Sequence, residues 1–282
     1  MAILVAGGTK GIGRAIATAF AEQAGDVFLG YHGDDAAAAA AAEAVSQAGG
    51  RPHLVKADAG TPEGCAAMAE AARGLAGSLD QVVHCVVDAY ASTALAADPA
   101  RFARAVTTNG TSLLFLVQAV LPLLASGSTV FYLTSRGGRI VVSNYAAVGG
   151  AKALAESLMR YLAVELAPRG VRINAIAPAI VETDAVRTLF GAEAGDIVRA
   201  AASHNPTGRG VRDSDYTSLM LWLASPAAST RSFTAWSTLT LPQRSRPIPP
   251  ASPAPSQQTE RASSFWCRRS CRFWPRAARS FI

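Results

Sequence analysis

The stretch AILVAGGTKGIGRAIATAFAEQAG, residues 2–25, sets the fold expectation for the whole chain. Residues 2–6 are a short apolar run stopped by glycine, the pattern of a buried parallel strand. GGTKGIG follows, with Gly7, Gly11 and Gly13, and then a segment in which Ile16 and Phe20 stand four apart, on one face of a helix. Glycines here let the backbone turn tightly and approach a pyrophosphate, whose charge a helix N-terminus favours. The spacing is G-x3-G-x-G instead of G-x-G-x-x-G, so the order strand, loop, helix carries the assignment more than the glycines do.

Downstream, strand and helix signals alternate. DVFLGY (26–31) reads as strand two and the alanine run 36–42 as a helix, with Asp34 or Asp35 near its cap. RPHLVKAD is strand three, QVVHCVV strand four, STVFYLTS strand five and VRINAIAP strand six. A long helix containing Asn109 precedes strand five, and another, carrying Lys152, runs to Ala167 and stops at Pro168-Arg169-Gly170. This alternation predicts an α/β fold: a doubly wound parallel sheet of Rossmann type with helices on both faces.

The chain has 282 residues, half of them hydrophobic, enough for one full α/β domain. The pattern breaks after residue 229. Seven of the fifteen prolines lie beyond 230, and the segment holds nine arginines, no lysine and one acid, Glu260. That surplus of +8 accounts for more than the formal +6 of the whole chain and leaves −2 for residues 1–229. The basicity therefore belongs to a tail, and no specific nucleic-acid partner is expected for the body. Residues 1–229 are read as the domain and 230–282 as a disordered or out-of-frame extension. The sheet's last strand is the doubtful part, since TLTL (238–241) is a poor candidate.

Cys65, Cys85, Cys267 and Cys271 are too scattered for a disulfide framework, and no histidine stands near the last two, so no metal site is expected. No cationic segment precedes the first apolar run. The longest apolar stretch, SLLFLVQAVLPLL from Ser112, contains Gln118 and Pro122 and is too short to span a bilayer. The expectation is a reduced, cytoplasmic protein with no membrane partner.

TSRGGRIVVSNYAAVGGAKALAESL (134–158) places Tyr145 seven residues before Lys152. In a helix that step is almost two turns, which puts both side chains on one face. A neighbouring ammonium lowers the pKa of a phenol, and a tuned phenol is a proton donor for a developing oxyanion. Together with the glycine loop, these residues resemble the short-chain dehydrogenase/reductase family over about residues 1–229. The common Y-x3-K arrangement would need a tyrosine at position 148, where Val148 stands. The longer step resembles the enoyl-acyl-carrier-protein reductase branch, as do NYAAVGGAKAL, RYLAVELAPRGVRINA, VETDAV and NPTGRG (205–210).

The resemblance implies roles. Tyr145 would hold a thioester carbonyl oxygen, and Lys152 would tune the phenol and bind the nicotinamide ribose. Ser135, ten residues before Tyr145, matches the family's catalytic serine, with a strand-end capping hydroxyl as the plain alternative. Asn109 matches the asparagine that bends a helix and holds a water near the lysine; a structural helix asparagine is the alternative. Cofactor contacts would come from Gly7, Thr9, Lys10, Gly11, Ile12 and Gly13 of the loop and from Tyr31, Asp58 and Ala59 at the sheet edge. Val181 and Thr183 match positions that hold the carboxamide. Strand two ends Gly30-Tyr31-His32 with no acid until Asp34, and Lys10 resembles the basic residue set against a 2′-phosphate, so NADPH is the expected cofactor.

The chain departs from the family after strand four, where His84-Cys85-Val86-Val87 replaces N-N-A-G and two valines are expected to crowd the nicotinamide ribose. His84 is read as a core histidine, and His32, His53 and His204 as surface residues. Leu154, Leu158 and Leu162 are expected to face the sheet, with Met159 and Tyr161 free for a second copy in a homodimer or homotetramer. The expected function is NADPH-dependent reduction of an enoyl thioester. The alternatives are a 3-oxoacyl or other carbonyl reductase, or a degenerate dinucleotide-binding member without catalysis.

Overall fold

Ala2–Ala6 forms β1, every residue buried, and the glycine loop leads into α1 (Gly11–Ala21). The chain continues through β2 (Asp26–Tyr31), α2 (Asp35–Gln47), β3 (Arg51–Lys56), α3 (Pro62–Ala76) and β4 (Leu79–His84). Next come α4 (Pro99–Val106), α5 (Ser112–Val120), β5 (Leu124–Leu133), α6 (Ala146–Leu166) and β6 (Arg172–Ile176). Helices α7 (Asp184–Phe190), α8 (Ala194–Ser203) and α9 (Asp213–Ala224) follow. This computed structural model describes residues 1–23 and 25–229. The tail, TLTL and the last two cysteines lie outside the described residues.

The six strands form one parallel sheet in the order β3-β2-β1-β4-β5-β6. The order reverses direction between β1 and β4, and in such sheets ligands bind in the crevice beyond the strand ends at that point. Both faces are buried, in alternation. Ile3, Val5, Val27, Val83 and Phe131 pack with Ile16 and Phe20 of α1 and Tyr216 and Met220 of α9. Leu4, Phe28, Val82, Val130 and Tyr132 pack on the other side with Met68 of α3 and Leu113 and Leu116 of α5. This two-sided burial is why the strands read as apolar runs rather than as alternating patterns.

Three local expectations are corrected. Strand five starts earlier and ends at Leu133, so Thr134 and Ser135 leave the sheet. The face that α6 turns inward is Val148, Ala151, Ala155, Leu162 and Leu166, with Met159 against the same core. Leu154 is 37% exposed, and Tyr161 and Val164 are exposed with it. Phasing the helix on its leucines alone misplaced the stripe, because the closest approach to the sheet is made by alanines. His53, third, is half-buried: its Nε2 lies 2.8 Å from Asp26 Oδ1 and its ring stacks on Phe28.

Asn109 sits in a π-turn, Thr107–Thr111, that joins α4 to α5. The continuous helical run Pro99–Leu123 is, at 25 residues, long and apolar enough to cross a membrane. Half of its most apolar window is buried inside this fold, and α5 packs on α3, as in the core helix of a globular domain.

Candidate active site

The glycine loop is built by close approach. A Cβ on Gly13 would lie 2.0 Å from the Gly7 carbonyl oxygen. Gly7 has φ +80°, and a Cβ there would meet the Cys85 carbonyl at 2.8 Å. The loop is thus folded onto itself and onto the end of β4 with no room for a side chain, leaving the α1 N-terminus bare. A cleft of about 400 Å³ opens there, lined by Thr9, Lys10, Gly11, Arg14, Asp34 and Thr183 among others. These residues fit a dinucleotide: a cradle only glycine can form, with a helix N-terminus facing the space where a pyrophosphate belongs.

Several proposed cofactor residues already have partners. The Lys10 ammonium is ion-paired with Asp34, whose other contact caps α2 through the Ala37 amide. The hydrogen bond with Asp34 raises the Lys10 pKa. The Tyr31 hydroxyl donates to Asp35 (3.0 Å). Asp58 accepts from the Gly60 amide (2.8 Å) and lies 3.5 Å from Arg104, while Ala59 is buried beside it. Ile12 and Val181 pack against the core on the α1 side. Thr183 caps α7, and its methyl group would be 3.0 Å from a Cβ on Gly11, so the segment after β6 lies against the glycine loop.

The chemistry-bearing cluster gathers at the same edge of the sheet. Tyr145 is the residue before α6, with φ −115°, ψ 12°, and Asn144 turns the chain into it at φ +55°, a conformation asparagine tolerates better than most residues. The Tyr145 ring is packed against two glycines: a Cβ on Gly137 would sit 2.5 Å from it, and one on Gly149 at 3.3 Å. Ser135 Oγ lies against the same glycine, 3.6 Å from the would-be Cβ of Gly137, so serine and tyrosine meet at this turn. The Ser135 Oγ accepts from the Gly137 amide (3.2 Å), which leaves its O–H available to donate. Burial raises the Tyr145 pKa, and the Ser135 hydrogen bond works against that rise.

Lys152 lies on α6, seven residues after Tyr145. It is buried, its Nζ donates to the Leu133 carbonyl (2.8 Å) and lies 4.7 Å from the centre of the Tyr132 ring. Burial draws its pKa down to about 8. Tyr145 precedes the helix instead of lying in it.

Asn109 stands where α4 passes into α5, and its side chain bonds the backbone. Its amide donates to the carbonyls of Ala105 (2.8 Å) and Asp88 (3.0 Å), and its oxygen accepts from the Asp88 amide (3.0 Å). Its own carbonyl takes the Tyr132 hydroxyl at 2.6 Å. These bonds tie the helix bend at Asn109 to the loop after β4. Tyr132, under Lys152, was not singled out by sequence, since a tyrosine inside an apolar strand looks like core.

His84 is fully buried. Its Nε2 lies 2.6 Å from Ser112 Oγ, whose own hydroxyl donates to the Thr108 carbonyl, so the ring carries its proton on Nε2. Burial, with the Lys152 charge second, draws its pKa down to about 3. Val86 packs toward the core and Val87 is 43% exposed, so the two valines point different ways at the loop. The unfolded chain takes up a proton near pH 6.5 that the folded chain refuses until about pH 3. Stability should therefore fall as pH drops below 6.5, by about 1 kcal/mol per unit from this group. Urea melts from pH 7 to 4 should show His84→Asn losing that part of the slope; parallel slopes would refute it.

The sequence profile described as Enoyl-(acyl carrier protein) reductase matches residues 6–234. The chain belongs to the short-chain dehydrogenase/reductase family. An uncharacterised oxidoreductase of Mycobacterium tuberculosis is 34% identical to this short-chain dehydrogenase/reductase over 253 residues, covering 87% of this chain and 94% of that one. The 1-cyclohexenylcarbonyl-CoA reductase of Streptomyces collinus is 30% identical over 67% and 68% of the two chains. Among solved structures, the Aquifex aeolicus enoyl-[acyl-carrier-protein] reductase (NADH) superposes with a TM-score of 0.73 at 26% identity, covering 81% of this chain and 91% of that one.

The protein is thus an oxidoreductase of this family, with the site for a nicotinamide dinucleotide. Its fold brings Ser135 and Tyr145 into contact and buries Lys152 beside the end of β4. There the Cys85 carbonyl abuts Gly7, and its thiol is within electrostatic reach of Lys152. Among the described residues no group of three or more His, Cys, Asp or Glu is placed to hold a metal ion.

Proposed function

We propose that this short-chain dehydrogenase/reductase uses NADPH to reduce an enoyl thioester. The observation that carries the reading is the meeting of Ser135 and Tyr145 against Gly137, next to the seven-residue step to Lys152. When bound, NADPH would supply the hydride for the β-carbon of the thioester, whose carbonyl oxygen would take the negative charge. Tyr145 donates its phenolic proton toward that oxygen, and Ser135 stabilises the phenolate left behind by donating its own O–H. Lys152, held by the Leu133 carbonyl, keeps its remaining N–H groups for the nicotinamide ribose. The loop 7–13 and the α1 N-terminus hold the pyrophosphate.

A second reading, reduction of a 3-oxoacyl thioester or other ketone, is favoured by the hydroxyl at Ser135, because serine and tyrosine together suit a carbonyl oxygen directly. NADPH-oxidation assays with crotonyl- and acetoacetyl-thioesters separate the two. Turnover of the crotonyl substrate alone supports the first, turnover of acetoacetyl alone the second. Cofactor binding with no turnover of any thioester or ketone points to a non-catalytic member.

Cofactor choice turns on the Lys10–Asp34 pair. A 2′-phosphate would compete with the Asp34 carboxylate for the ammonium. Lys10→Ala should therefore raise the Kd for NADPH about tenfold while leaving NADH within about twofold, and Asp34→Asn should tighten NADPH. Fluorescence titration of both cofactors checks this; equal losses in Lys10→Ala would show that the lysine only supports the loop. The homo-oligomer implied by the family resemblance belongs to the same proposal, with Leu154, Tyr161 and Val164 giving α6 an exposed apolar flank.

A further inference from the structure

Glu156 is a carboxylate that the chemistry above does not use. It sits on α6 one turn beyond Lys152 and is only 6% exposed. One oxygen accepts from the Thr134 hydroxyl at 2.8 Å and the other from Arg139 Nε at 2.9 Å. Thr134 immediately precedes Ser135, and Arg139 immediately follows the tight turn Arg136–Gly138. The carboxylate therefore holds both flanks of the turn that presents Ser135 to Tyr145.

The turn itself is pressed on the helix. A Cβ on Gly138 would be 3.1 Å from the Ala153 nitrogen and 3.3 Å from Lys152 Cβ. Burying a carboxylate costs several kcal/mol unless it is paired and hydrogen-bonded, whereas the buried Ala155 and Leu162 of α6 carry no such cost. What a carboxylate adds at position 156 is a fixed two-point anchor.

We propose that Glu156 is a positioning residue whose carboxylate clamps Thr134 and Arg139 and so sets the reach of the Ser135 hydroxyl to the Tyr145 phenol. This rests on the reading of Ser135 and Tyr145 as the proton-handling pair. Glu156 has a second, electrostatic effect: its charge, after the Cys85 thiol, opposes the burial that lowers the Lys152 pKa. The groups around that ammonium are His84 and Cys85 at the end of β4, Tyr132 of β5 and Glu156 on its own helix.

Glu156→Gln tests the clamp, because the amide can still accept from Thr134 while its NH2 cannot accept from Arg139. Displacements of this kind are felt in catalysis out of proportion to their size. The variant should lower kcat about tenfold while KM for cofactor and thioester changes less than about twofold. The alkaline limb of its kcat profile should move to lower pH, since the anion that supports the Lys152 ammonium is gone. Thr134→Val, which removes the other arm and leaves the charge, should lower kcat without moving that limb.

Hydrogen exchange at the Gly137 and Gly138 amides should speed up in both variants, and this readout stands even if no thioester is turned over by the wild type. Slowed turnover with faster exchange supports the clamp. Wild-type kcat with an unmoved limb in folded Glu156→Gln overturns it, as does unchanged exchange at the turn in both variants.

Discussion

Tyr145→Phe should lower kcat by about 10²-fold or more, the scale of general-acid catalysis, with little change in NADPH affinity or melting temperature. The substitution removes one oxygen. The ring stays wedged against Gly137 and Gly149, so the backbone around it has no cause to move. Two things are lost: the proton for the carbonyl oxygen and the acceptor for Ser135. The Ser135 Oγ keeps its bond from the Gly137 amide and can offer its O–H to substrate, so a small residual rate is expected in place of none. Ser135→Ala in the Tyr145→Phe background should then cost less than it does in the wild type, because the two groups act as one unit. Steady-state kinetics on the two single variants and the double variant check both statements. Wild-type turnover by Tyr145→Phe would remove this tyrosine from the chemistry.

Gly13→Ala should abolish measurable dinucleotide binding, a loss of at least about 10²-fold, and a misfolded product is the alternative form of the same result. The added Cβ would lie 2.0 Å from the Gly7 carbonyl oxygen, well inside any tolerable contact, so loop and helix must separate. Separation moves the amide groups at the α1 N-terminus, which are the ones aimed at the pyrophosphate. Gly74→Ala in α3 is the control. Nothing lies within 4 Å of its would-be Cβ, and replacing a helix-interior glycine should stabilise by about 0.5–1 kcal/mol. Cofactor titration with circular dichroism on both variants tests the contrast, and normal binding by Gly13→Ala would contradict the close packing of the loop.

The fold was legible because its signals are local. Apolar runs bounded by glycine mark strands buried on both faces, and each sequence-read strand appears within a few residues of its place. The Asp34 cap likewise starts α2 where the alanine run predicted. Ser135 and Tyr145 were legible for a different reason: they lie on one short loop between β5 and α6, so ten residues of sequence keep them near each other in any member of the fold.

The roles of Lys152, Lys10 and Asn109 were not legible in the same way. Spacing assumed that Tyr145 lies inside a helix, whereas it stands just before α6, and the buried Lys152 ammonium bonds the Leu133 carbonyl, a partner on another element. Lys10 is a loop cation in sequence; only the packing of α2 beside the glycine loop gives it Asp34. Asn109 was read as holding a water or as a structural helix asparagine, and only the fold brings to it the loop after β4, 21 residues earlier, whose backbone groups its side chain bonds.

The sequence by itself determined the parallel α/β architecture, the glycine cradle and the family, since period, punctuation and glycine spacing are properties of neighbouring residues. Only the tertiary structure decided which polar groups meet. Glu156 reads as a solvated helix acid until β5, its following turn and α6 are brought together around it. A charge taken out of water must find its partners among whatever strand ends and turns the sheet order delivers. That order, β3-β2-β1-β4-β5-β6, is set by packing between segments far apart in the chain, and no local pattern encodes it.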